Sequence, residues 1–110
     1  MVNLRRDHAA YSISVTSELT GVNPQMLRTY EHRGLLAPHR TQGGTRRYSS
    51  DDLDRIAQIA TLLAAGVNLT GVAHVLRLQA RTERLQAEVD TLRGQLEART
   101  NAAPRRKDHR

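Results

Sequence analysis

Tyr11–Tyr48, YSISVTSELTGVNPQMLRTYEHRGLLAPHRTQGGTRRY, is the stretch whose reading decides the fold. Its punctuation predicts a short helix, a tight turn, a second helix, and a Gly-Gly loop closed by two arginines and a tyrosine. Gly21 ends the first helix, because glycine tolerates the left-handed backbone that a tight turn requires. Asn23 is a good N-cap, and Pro24 takes the first helical position, where its missing N–H matters little. Val22 and Leu27 stand at the positions of a hydrophobic staple. On the second helix Leu27 and Tyr30 face inward with Met26 beside them, while Gln25, Arg28, Thr29 and His32 face elsewhere. Gly34 closes that helix, and Leu35 and Leu36 return to the core. The order describes a helix-turn-helix followed by a basic hairpin, a shape suited to gripping duplex DNA.

Upstream, residues 1–10 are polar and expected to fray. Tyr11–Ile13 is a short extended entry. Ser14 is the expected N-cap of the first helix, with Val15 and Leu19 four apart on its apolar face. Downstream, Gly43 and Gly44 form a hairpin tip between Arg40–Thr41 and Arg46–Tyr48. Ser49-x-x-Asp52 is a capping box, with Tyr48 and Leu53 as its staple. The third helix then presents Leu53, Ile56, Ala57, Ala60 and Leu63, and ends near Gly66. A fourth helix starts at Asn68, with Val67 and Val72 as staple.

From Val75 a heptad sets in. Val75, Thr82, Val89 and Leu96 fall at a; Leu78, Leu85, Leu92 and Arg99 fall at d. The apolar members Val75, Leu78, Leu85, Val89, Leu92 and Leu96 form a short coiled-coil seam, flanked by Arg, Glu, Gln and Asp. Gly94 weakens it by about 1 kcal/mol against Ala. A single helix this short and polar needs a partner, most simply its own copy. The expected organisation is a flexible 1–10, a DNA-binding domain over 11–80, a dimerisation helix over 81–99 whose seam starts near 75, and a disordered basic tail over 100–110. The fold class is mainly α: a winged helix-turn-helix, two supporting helices, and a C-terminal dimerising helix.

The bulk numbers agree with that outline. The 110 residues contain neither Phe nor Trp, so the core is built from Leu, Val, Ile, Ala and three tyrosines. Such a core is small, and dimerisation would support it. Net charge is +6, an excess that favours nucleic acid or another anionic surface. Residues 1–50 hold seven arginines against three acids, and residues 100–110 hold four basic side chains against one acid, so the excess sits on the reading head and the tail. The tail's Arg105, Arg106 and Lys107 read first as a solubilising end. There is no cysteine, which excludes disulfides and thiolate metal sites in this chain. No apolar run reaches the roughly 18 residues that span a bilayer, and the first residues lack the apolar core of a secretory signal. A cytoplasmic location is expected.

The chemistry follows from the placement. Gln25 lies in the first turn of the second helix, where an amide can pair with adenine N6 and N7. Arg28, one turn on, can reach guanine O6/N7 or a phosphate. Thr29 is a smaller candidate, and Ser14 joins the set from the first helix. Tyr30 has two readings, a core ring or a hydroxyl that reaches a phosphate. Arg40, Arg46 and Arg47 grip phosphates or enter a minor groove, while Gly43 and Gly44 let the tip approach closely. Tyr48 either touches the DNA backbone or staples the third helix. The five histidines show no tight metal spacing, so no metal and no cofactor is expected. No nucleophile–base pair, carboxylate dyad or phosphate loop marks an enzyme.

Leu27-Arg28-Thr29-Tyr30-Glu31-x-x-Gly34-Leu35-Leu36 followed by Gly44-x-Arg46-Arg47-Tyr48-Ser49 resembles the MerR-type transcriptional regulators, over Tyr11 to about Arg99. Within that family the chain is most similar to the HspR-type heat-shock repressors. The residues behind this are Ile13-Ser14-Val15, Glu18-Leu19-Thr20-Gly21-Val22, Pro24-Gln25, Arg40-Thr41-x-Gly43-Gly44 and Gly66-Val67-Asn68-Leu69-x-Gly71-Val72. The resemblance implies a homodimeric repressor of stress or chaperone genes that binds an inverted repeat in double-stranded DNA, with the chaperone DnaK as co-repressor. It also implies an antiparallel helix pair and supports a phosphate role for Tyr30. The alternative is a MerR-like adaptor that binds a chaperone and no DNA; such an adaptor has no need of Arg40, Arg46 and Arg47 together.

Overall fold

The computed structural model describes residues 6–102. Seven elements follow one another: β1 (Ala9–Tyr11), α1 (Ile13–Thr20), α2 (Pro24–His32), β2 (His39–Arg40), β3 (Arg46–Ser49), α3 (Ser50–Ala64) and α4 (Leu69–Ala102). Helices dominate, and the strands form one small antiparallel sheet in the order β1-β3-β2. Two compact units divide within α4, after Leu76.

Most of the local signals act where the sequence puts them. The Asn23 side chain accepts the Met26 N–H at 2.8 Å and Pro24 opens α2. Gly34 takes φ +77°, and the Leu35 N–H reaches the Tyr30 carbonyl at 2.8 Å while the Gly34 N–H reaches Glu31, the paired bonds of a Schellman ending. The Ser49–Asp52 capping box is complete in both directions. Asn68 caps α4 by accepting the Gly71 N–H. The hairpin pairs His39 with Arg47 and Arg40 with Arg46, and the tip at Gly43–Gly44 is closed by Thr41–Thr45.

The core is one cluster: Leu27, Tyr30, Leu35, Leu36, Tyr48, Ile56, Ile59, Val72 and Leu76. Four expectations need correction. The N-cap of α1 is Ser12, whose hydroxyl accepts from Val15; Ser14 lies inside the first turn and is exposed. Ile13, Thr16 and Thr20 share the inward face of α1, where Thr16 is buried, and Val15 and Leu19 are exposed. On α3 the buried pair is Ile56 and Ile59, while Ala57 is exposed. Finally, the polar ends are more ordered than expected. Ala9–Tyr11 pairs with β3, the Arg6 carbonyl accepts the Asp51 N–H, and the Arg6 guanidinium bonds Asp51 and Asp54. At the other end α4 runs through Thr100 to Ala102. The remainder of the two expected flexible ends, residues 1–5 and 103–110, lies outside the described residues.

In the second unit the helix leaves Leu78, Leu85, Val89, Leu92 and Leu96 exposed, from 39% to 64% of their surface. Val75, in the first unit, is half-buried.

Candidate nucleic-acid interface

The outer face of α2 is set by its inner one. Leu27 and Tyr30 are anchored in the core, so the helical period turns Gln25, Arg28, Thr29 and His32 outward on one stripe. These four, with Arg33 and Arg46, line one open groove. Gln25 and Arg28 are exposed, and among the described residues neither side chain makes a hydrogen bond. Thr29 is half-buried and its hydroxyl donates to the Gln25 carbonyl at 3.0 Å, so its own proton is committed to the helix. Arg33 is the C-cap residue and reaches Thr70 at 3.3 Å.

The wing stands beside this stripe and is tied to it. Glu31 accepts from Arg46 Nε through Oε1 at 2.6 Å and from Arg40 Nη2 through Oε2 at 2.9 Å. Arg40 Nη1 also donates to the Gly44 carbonyl at 2.9 Å, across the hairpin tip. The Arg46 hydrogen bond, reinforced by Arg40, holds the Glu31 carboxyl below its ordinary range against the opposing effect of burial. Both terminal nitrogens of Arg40 therefore brace the protein, whereas the Arg46 brace uses Nε, and among the described residues its two terminal nitrogens make no hydrogen bond. Arg47 is half-buried in β3, and Gly43 and Gly44 are exposed at the tip.

The two tyrosines sort differently. Tyr48 is fully buried, and its hydroxyl is enclosed without a hydrogen-bond partner. It belongs to the core cluster, and its placement as a DNA contact is corrected: a hydroxyl sealed from solvent cannot reach a phosphate. Tyr30 leaves 2% of its surface exposed, which favours the core reading. Burial pushes both phenols up from the ordinary tyrosine value. Three residues of the groove and its brace are not among the contact residues expected from sequence: Glu31, His32 and Arg33. The i, i+3, i+4, i+7 spacing from Gln25 points to His32. Nothing local announces that Glu31 meets arginines nine and fifteen residues away.

A reading helix flanked by a basic hairpin, both seated on a helix-turn-helix core, defines a winged helix-turn-helix DNA-binding protein. The family model described as MerR HTH family regulatory protein matches residues 11–79. The chain belongs to that family. It is 36% identical over 104 residues to the Streptomyces coelicolor protein assigned as heat shock protein HspR, a match covering 94% of this chain and 69% of that one. A MerR-family regulator from Listeria monocytogenes has a similar crystal structure, with TM-score 0.60, 26% identity, and coverage of 84% of this chain and 77% of that one. The fold also matches HiNmlR, a MerR-family regulator that lacks the sensor domain and was crystallised on promoter DNA. There the TM-score is 0.56 at 20% identity, covering 79% of this chain and 78% of that one. The protein is a DNA-binding transcriptional regulator. Among the described residues no helix is long and apolar enough to cross a membrane, and no group of His, Asp or Glu is placed to hold a metal.

Proposed function

We propose that this regulator acts in the cytoplasm as a homodimeric repressor of heat-shock or chaperone genes, bound to an inverted-repeat operator. The observation that carries the reading is the single groove in which Gln25, Arg28 and Thr29 of α2 stand beside Arg46 of the wing. A helix of that width fits the major groove, where Gln25 reads adenine and Arg28 reads guanine or grips a phosphate. Arg46, Arg47 and the Gly43–Gly44 tip meet the backbone next to it, with Ser14 at its margin. The likeness to heat shock protein HspR supports the choice of genes, and a DnaK-type chaperone is the co-repressor that this likeness brings in.

Dimerisation rests on the heptad seam. Leu85, Val89, Leu92 and Leu96 are exposed apolar side chains on one helix of a single copy, and a second copy covers them at the smallest entropic cost. Protein two-fold symmetry is then mirrored in the half-sites. The test is a footprint on the protein's own upstream region, with and without purified DnaK. A protected inverted repeat, extended or strengthened by DnaK, is expected. Protection of a single half-site, or none, overturns the operator; no response to DnaK removes the co-repressor alone.

A further inference from the structure

The wing carries its arginines on two short strands, and a single carboxylate, Glu31, pairs with one arginine of each. We infer that Glu31 is a positioning residue that limits how much wing charge reaches DNA and thereby sets operator discrimination. This rests on the proposed α2–wing interface.

Glu31 sits on the last turn of α2, a helix locked into the core by Leu27 and Tyr30. Its two oxygens are divided between strands: Oε1 holds Arg46 of β3 and Oε2 holds Arg40 of β2. Three-quarters of the Glu31 side chain is shielded from solvent, as is a similar share of Arg46. Charge-assisted bonds of this kind are short and directional, so they fix angle as well as distance. The bonds use the Nε edge of Arg46, whose side chain also lines the α2 groove. They use both terminal nitrogens of Arg40, one on Glu31 and one on the Gly44 carbonyl. The two arginines thus divide the work: Arg46 is presented to DNA, and Arg40 is a strut that holds the tip.

One carboxylate between two guanidiniums offsets one of their two charges, so the braced pair displaces fewer counterions from DNA than two unpaired arginines would. Each phosphate neutralised steepens the dependence of log K on log salt by about 0.9. Neutralising Glu31 frees Arg40 for any phosphate in reach, whatever the sequence, and lets the wing drift from the angle that seats α2 on its bases. Sequence-independent binding gains and sequence-dependent binding loses.

Glu31→Gln is measured against operator and random duplex across a salt series, with helix content and dimer state checked first. The expected result is tighter binding to random duplex, a salt slope steeper by about one unit, and an operator-to-random ratio at least roughly tenfold lower. The charge-balanced double variant Glu31→Gln with Arg40→Gln separates charge from position. Its salt slope returns to the wild-type value while discrimination stays lost. A folded Glu31→Gln dimer with wild-type slope and ratio overturns the inference. So does a double variant with wild-type discrimination, which decides the matter should the single variant not fold. Arg28→Ala is the control for the interface itself: if it binds operator like wild type, the α2 reading fails; if it loses operator while Glu31→Gln stays neutral, only the role of Glu31 fails.

Discussion

Tyr48 and Thr16 are buried residues whose hydroxyls have no hydrogen-bond partner among the described residues. An unmatched buried hydroxyl costs roughly 1–3 kcal/mol of desolvation. Tyr48→Phe removes that burden without changing shape, so urea unfolding is expected to show a gain of about 1 kcal/mol, with operator affinity within about twofold of wild type. A large loss of operator binding in a stable Tyr48→Phe protein would return the hydroxyl to the DNA interface. Thr16→Val is expected to move stability in the same direction. At this scale the sequence was only partly legible. Leu27 and Tyr30 announce themselves by type and spacing. Thr16 does not, because a threonine at a fully enclosed position contradicts its own chemistry; the apolar pair Val15 and Leu19 was the better match to pattern and is nevertheless outside.

Elements begin and end where a side chain answers its own backbone within four residues, and those boundaries were readable in advance. Asn23, Ser49 and Asn68 each accept an N–H three residues on, and Gly34 supplies the positive φ that α2 needs to stop. Asn23→Ala is expected to lower unfolding stability by about 1 kcal/mol, measured by denaturant titration. The α1 cap was ambiguous because Ser12 and Ser14 are both competent, and only core packing chooses between them. The β1–β3 pairing and the Glu31 brace were illegible for a different reason: they join residues far apart in the chain, and no local periodicity encodes them. The brace also carries a pH signature. With its folded pKa held below the ordinary glutamate value, Glu31 contributes stability that is present above that ordinary value and is lost as pH falls through the lowered one. Hydrogen exchange at wing amides is therefore expected to show constant brace protection between pH 8 and 5 after correction for intrinsic rate, and loss only in stronger acid. Loosening near neutrality would place a different group in control.

For the whole molecule the decisive surface is the apolar row Leu85, Val89, Leu92 and Leu96. Leu85→Asp with Leu92→Asp is expected to give monomers by sedimentation, with operator affinity reduced by at least a hundredfold because two linked half-site contacts become independent. An intact dimer in that variant would sink the seam. The strand order has a practical outcome as well. β3 carries Arg46 and Arg47, is bordered on one side by β2, and owes its other border to only three residues near the start of the chain. Truncating the gene past Ala9, or splicing a bulky reporter there, would bare a row of amides that recruits foreign strands. Reporters and handles for this protein therefore belong away from β1, where they leave the hairpin's neighbour undisturbed.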